Sequence, residues 1–140
     1  MIETRGERCC NPGNIDRHDG TLWQGMAHDQ SKDHRFVVFS RAHFGIRALA
    51  KVLLTYHRKH GLCTVKALID RWAPPSENNT GAYVNHVAQL LGVGIESVLD
   101  VDSPECLEVL VRAIIQHENG RVIYSDSDII KAVDSALGAA

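Results

Sequence analysis

Ser103-Pro-Glu-Cys-Leu-Glu-Val-Leu-Val-Arg-Ala-Ile-Ile-Gln-His-Glu-Asn-Gly120 reads as one helix that ends in an acid, where a helix end favours a base. Ser103 is suited to cap the start, Pro104 to the first helical position and Glu105 to the positive end of the helix. Leu107, Leu110, Val111, Ile114 and then Glu118 recur at helical spacing, so one stripe carries four aliphatic residues and finishes in a carboxyl group. Asn119-Gly120 is a left-handed stop, which puts Glu118 in the last turn among unpaired carbonyls. Burial and that field both oppose ionisation. A carboxyl that stays protonated near neutral pH is what the general acid of glycosidic bond cleavage requires. The alternative is a Glu118 at the helix edge, in solvent and paired with His117 or Arg121.

Working outward from this helix, the remaining helical body is expected to span 41–140. Ile46, Leu49, Ala50, Leu53, Leu54 and His57 form an apolar face running to about Lys59, with Gly61 as its stop. Thr64 caps a shorter helix through Val65, Leu68, Ile69 and Trp72, closed by Ala73-Pro74-Pro75. The polar pentad Ser76-Glu77-Asn78-Asn79-Thr80 opens a third helix, with Tyr83, Val87, Leu90 and Leu91 facing inward and Gly92 at its end. A last amphipathic helix starts near Asp126 and carries Ile130, Val133 and Leu137.

The first 40 residues are different. Asn11-Pro12-Gly13-Asn14 and His18-Asp19-Gly20 are turn sequences, and Arg35–Ser40 is the one convincing strand, expected to pair near Ile15 or Trp23. Five helices and a small N-terminal β lobe make a mainly α (α+β) fold, expected to be a single domain. A loop-rich stretch of this length is expected to wall a cleft.

Composition excludes several functions. At 140 residues, 44% hydrophobic and 23% charged, the chain matches soluble globular proteins rather than disordered or collagen-like ones. A net charge of −2 supplies no basic field for nucleic acid, and no apolar run approaches the roughly 20 residues of a membrane span. The N-terminus lacks the apolar segment of a secretory signal, so export is expected to depend on another factor. Cys9, Cys10, Cys63 and Cys106 have neither zinc-site nor disulfide spacing, and the eight histidines are scattered. No metal or cofactor is expected. Without a zinc triad or a spaced Cys-His pair, an amidase or peptidase is disfavoured.

Six stretches in order carry a family resemblance. They are Asn11-Pro-Gly-Asn-Ile15 after Thr4-Arg5-Gly6, Trp23-Gln24-Gly25, Phe36-Val-Val-Phe39, Gly45-Ile-Arg-Ala-Leu49, Arg71-Trp-Ala-Pro-Pro-Ser-Glu-Asn-Asn-Thr80 with Tyr83, and His117-Glu-Asn-Gly120. Together they resemble a family of small bacteriophage and prophage virion proteins associated with lysozyme-like peptidoglycan hydrolysis, and the resemblance covers nearly the whole chain. One departure is visible: Cys9-Cys10 stand where such proteins usually carry asparagines. More locally, Ala113–Gly120 with Tyr124-Ser125 looks like the catalytic helix end of lytic transglycosylases and goose-type lysozymes. In those enzymes the glutamate helix precedes the β lobe, so the resemblance implies a circularly permuted lysozyme-like arrangement.

The resemblance implies a phage peptidoglycan hydrolase, a muramidase or lytic transglycosylase, with Glu118 as general acid and Glu77 as reserve acid. Asn14, Trp23, Asn78, Asn79, Thr80, Tyr83 and Tyr124 are the substrate-contact candidates. No second carboxylate is identifiable: Asp16, Asp19 and Asp29 lie in the lobe expected to face Glu118 but read first as solvated loop residues or caps, and the sugar's own acetamido group is an alternative to all three. The expected partners are peptidoglycan glycan strands and other virion proteins, with neither nucleic acid nor membrane, and a monomer is expected. Synthesis in the host cytoplasm and action in the periplasm follow from the same reading. The alternatives are a non-catalytic virion structural or wall-binding protein and a secreted bacterial effector with the same chemistry.

Overall fold

The computed structural model describes residues 2–76 and 79–138. Among the described residues there are six helices: α1 (Arg5–Arg8), α2 (Ala42–His60), α3 (Val65–Trp72), α4 (Thr80–Leu91), α5 (Pro104–Asn119) and α6 (Asp126–Ala136). The fold is mainly α. The five helices expected from sequence are α2 to α6, and α1 is the addition. Its signal was available, because Thr4 and Glu7 form a reciprocal capping box of the S/T-x-x-E type.

Local chemistry sets the helix limits. Thr64, Asn79, Ser103 and Ser125 each accept a hydrogen bond from a first-turn amide of α3, α4, α5 and α6 respectively. Gly61, Gly92 and Gly120 end α2, α4 and α5 in the left-handed region, which costs glycine nothing because it has no Cβ. The aliphatic stripes then meet. α2 packs on α6, while α5 packs on α4 and α6. Ile46, Leu49 and Leu53 join Leu107, Leu110, Ile114 and Ile129 in one fully buried cluster.

The expected β lobe is corrected. The extended segment Phe36–Phe39 pairs near Ile15 and Trp23 as expected, but among the described residues it does so through isolated antiparallel bridges, Asp16 to Phe36 and Met26 to Phe39, and not as a regular strand. Backbone bonds from Val37 N–H to the Ile15 carbonyl, Arg17 N–H to the Arg35 carbonyl and Ala27 N–H to the Val38 carbonyl accompany these bridges, and side chains add to them. The Asn11 carboxamide donates to the carbonyls of Ile15 (3.0 Å) and Val37 (2.8 Å) and accepts from Ile15 N–H (3.0 Å). Gln30 donates to the carbonyls of Ala27 and Val38 and accepts from Val38 N–H. Asp33 accepts from the amides of Arg35 and Phe36 and pairs with the Arg5 guanidinium, which holds its carboxyl well below the usual carboxylate range. Every buried backbone group needs a partner, and here amide and carboxylate side chains supply it.

Two close approaches seat this lobe on the helices. A Cβ on Gly45 of α2 would overlap the Cys10 carbonyl, and one on Gly25 would overlap the Phe44 ring. The departure at Cys9-Cys10 also has a structural correlate. Cys10 has φ of 53°, in the left-handed region that asparagine tolerates better than other non-glycine residues.

Asn11 is fully buried and joins its own turn, at Ile15, to the extended segment at Val37. Asn11→Ala is expected to cost about 3 kcal/mol, because it removes three hydrogen bonds and strands their backbone partners. Urea unfolding checks this, and a loss below about 0.5 kcal/mol would contradict the role given to its carboxamide.

Candidate functional site

The N-terminal lobe and the helical body enclose a cleft of about 400 Å³, lined by Gly13, Asn14, Ile15, Asp16, His18, Thr21, Trp23, Arg35 and Phe36 on one side and by Val52, Tyr56, Trp72, Ala73, Pro74 and Glu118 on the other. Glu118 stands where the helical stripe predicted, in the last turn of α5 and half-buried. The two walls are clamped together at this helix end. Asn119 Nδ2 donates to the Pro12 carbonyl (2.8 Å), and Thr4 Oγ1 donates to Asn119 Oδ1 (2.6 Å). Arg121, just beyond the helix, pairs with the buried carboxylate of Glu7 at 2.6 Å and holds it below its ordinary range.

Glu118 is held by two residues other than the His117 and Arg121 expected for an exposed position. Its Oε1 accepts from Asn14 Nδ2 (2.7 Å), and its Oε2 accepts from the Tyr83 hydroxyl (2.8 Å). Tyr83 thus ties α4 to the end of α5 through this carboxyl group. Burial, followed by the neighbouring Glu118 charge, pushes the Tyr83 phenol far above its ordinary range, and Tyr83 therefore acts as a neutral donor. Behind it, the His117 ring stacks on Tyr83 at 3.6 Å between centroids. His117 Nδ1 lies 2.8 Å from His86 Nδ1, a contact in which one imidazole must donate and the other accept.

The remaining candidates divide. Asn14 and Trp23 line the cleft, whereas Tyr83 reaches it through Glu118. Asn79 and Thr80 line a separate cavity of about 300 Å³ with Lys66, Asp70 and Asn85. Asn79 caps α4, and the Thr80 hydroxyl is buried and donates to the Ala73 carbonyl at 2.5 Å. Tyr124 is outside the cleft lining and packs against the helical core. Burial and the acids Glu7 and Glu3 raise its phenol above the ordinary range. Glu77 and Asn78 lie outside the described residues.

Of the lobe acids Asp16, Asp19 and Asp29, only Asp16 lines the cleft, where it is gripped in bidentate fashion by Arg35 at 2.8 and 3.1 Å. Sequence reasoning missed Tyr56, Val52 and Arg35 as cleft residues. Val52 and Tyr56 are four apart on α2, off the core stripe, which is the signal that could have found them. The Trp72 ring both packs on the core and lines the cleft.

The protein is thus a mainly helical body closed by a loop-built lobe over a carboxyl-bearing cleft. No model of a known protein family matches the chain. Over 132 residues it is 36% identical to protein P5 of Pseudoalteromonas phage PM2, covering 93% of this chain and 80% of that protein. The chain belongs to the family of that phage protein. Among the described residues, no helix is long and apolar enough to cross a membrane.

Burial, followed by the adjacent His86 imidazole, holds His117 below the ordinary histidine value of 6.5. The folded state then binds this proton less readily than the unfolded chain. Its neutral packing carries no penalty above pH 6.5, and stability is lost as pH falls from there through the lower folded value. The melting temperature is expected to drop more between pH 7 and 5 for the wild type than for His117→Gln. Equal or reversed slopes would contradict this linkage.

Proposed function

We propose that the protein is a phage peptidoglycan hydrolase that cleaves the glycan strand, with Glu118 as general acid. The observation that carries this reading is a half-buried glutamate, held by Asn14 and Tyr83, in a cleft walled by Trp23, Trp72 and Tyr56. Flat aromatic faces suit sugar rings, and a carboxyl group at the bottom of such a groove suits proton delivery to the oxygen between N-acetylmuramic acid and N-acetylglucosamine. Relationship to a phage protein fits an enzyme that meets the wall from a virion or as an endolysin, after synthesis in the host cytoplasm and on the periplasmic side.

In this reading the fold is lysozyme-like with its order permuted, the lobe preceding the glutamate helix. Charge developing on the sugar is countered by Asp16, which Arg35 orients within the cleft, or by the substrate's own acetamido group. Hydrolysis and anhydro-sugar formation are both compatible with one acid and differ in whether water or the sugar's 6-hydroxyl completes the reaction.

A second reading is a non-catalytic virion or wall-binding protein. The observation in its favour is that both Glu118 oxygens already accept hydrogen bonds from the protein, as they would if the carboxylate were a strut between lobe and body.

One experiment separates the two. Purified sacculi incubated with wild type are expected to release soluble muropeptides detectable by mass spectrometry, at a rate reduced about 100-fold or more in Glu118→Gln. Unchanged release in the variant would remove Glu118 as the acid. Wild type that pellets with sacculi but releases nothing would establish the binding protein instead.

A further inference from the structure

We propose that Arg71 is a specificity-determining residue that binds a carboxylate of the peptide carried by N-acetylmuramic acid, so that the cleft selects strands with acidic stem peptides over uncharged ones. This deepens the peptidoglycan reading given above and rests on it, but it requires only binding and not cleavage.

The body wall of the cleft is bordered by this arginine. Tyr56 of α2 lines that wall together with Trp72, Ala73 and Pro74, and Arg71 immediately precedes Trp72 in the last turn of α3. Its guanidinium carbon lies 5.2 Å from the centroid of the Tyr56 ring, within the range of a cation–π contact. The ring therefore holds the cation beside the cleft, and it leaves the planar fork of N–H donors available to an acceptor. Arg71 is exposed, whereas Tyr56 and Trp72 are half-buried. The charge thus stands at the rim and the aromatic faces lie within. Burial raises the Tyr56 phenol above its ordinary range, against the opposing charge of Arg71, so the hydroxyl beneath the cation is neutral.

The charge is also uncommitted. Asp70, the acid next to it in sequence, is held by Lys66 at 2.6 Å. On the lobe wall of the cleft Arg35 grips Asp16 at 2.8 Å, so that wall pairs its own charges. Among the described residues, no carboxylate forms an ion pair with Arg71. The last turn of a helix favours any cation, and lysine would serve that field equally. Arginine differs in stacking on an aromatic ring and in meeting a carboxylate with two parallel N–H donors.

The chemistry of the strand supplies the complement. Its sugars are uncharged, and its negative charge resides in the carboxylates of the peptides. One of the two sugars flanking every bond between N-acetylmuramic acid and N-acetylglucosamine carries such a peptide. A strand with that bond at Glu118 therefore brings a peptide to the edge of the cleft, where an unpaired guanidinium attracts it. A strand without peptides offers Arg71 nothing.

The test is calorimetric titration of the full-length protein carrying Glu118→Gln, which prevents turnover, with two probes. One is a muropeptide tetrasaccharide, and the other is its counterpart in which every peptide carboxylate is a carboxamide. The acidic form is expected to bind about tenfold more tightly. Adding Arg71→Gln is expected to erase that difference by weakening the acidic form alone, and Arg71→Lys to recover part of it. Equal binding of the two forms, or an Arg71→Gln change that weakens both alike, would overturn the role of Arg71 and leave the peptidoglycan reading in place. Binding of neither form would overturn that reading and this inference with it, so the two failures are told apart.

Discussion

The architecture depends on two adjacent residues at the end of one helix gripping a turn from the other end of the chain. Glu118 holds Asn14 and Asn119 holds the Pro12 carbonyl, so the Asn11–Asn14 turn is fastened to α5 across more than a hundred residues of sequence. The glycine within that turn allows the fit. A Cβ on Gly13 would press within 3.3 Å of Leu49 and the Trp72 ring. From this clamp the lobe is hung over α2 and α3, and the space left between them is the cleft.

The same clamp accounts for how polar groups can be kept so near the core. Glu118 is fixed from the lobe side by Asn14 and from the body side by Tyr83, which is itself backed by the stacked His117. Hydrogen bonds of this kind contribute little net stability each, but a buried group left without one is costly. The network therefore acts less as glue than as a constraint on where one carboxyl group can point. Ion pairs on buried carboxylates, Arg121 with Glu7 and Arg5 with Asp33, tie the first turn of chain to the same helix end and to the lobe.

Much of this was legible in the sequence wherever periodicity or capping carried it. The stripe from Leu107 to Glu118, the stop at Gly120 and the caps at Ser103 and Thr64 follow from short-range rules and correspond to α5 and α3 as found. The lobe was less legible because its backbone pairing is confined to isolated bridges and is completed by the side chains of Asn11, Gln30 and Asp33. Side chains acting as surrogate backbone leave no alternating pattern, so Phe36–Phe39 read as a strand. At the site, Glu118 and Asn14 could be named from their residue types and turn context. Their mutual contact could not, nor could the His86–His117 contact, since both are made by packing between elements distant in sequence. Thr80 and Tyr124 illustrate the converse. Polar and aromatic groups near a functional motif were read as substrate contacts, whereas the hydroxyl of Thr80 closes the end of α3 on α4 and Tyr124 fills the core edge.

The central claim is that a glycan strand lies in this cleft with a scissile oxygen at Glu118. A crystal structure of Glu118→Gln with a bound muropeptide tetrasaccharide tests it most directly. The account predicts sugar rings along Trp23 and Trp72, with a glycosidic oxygen within hydrogen-bonding distance of the residue 118 side chain. Saccharide bound on another face, or a cleft that stays empty at saturating ligand, would contradict it.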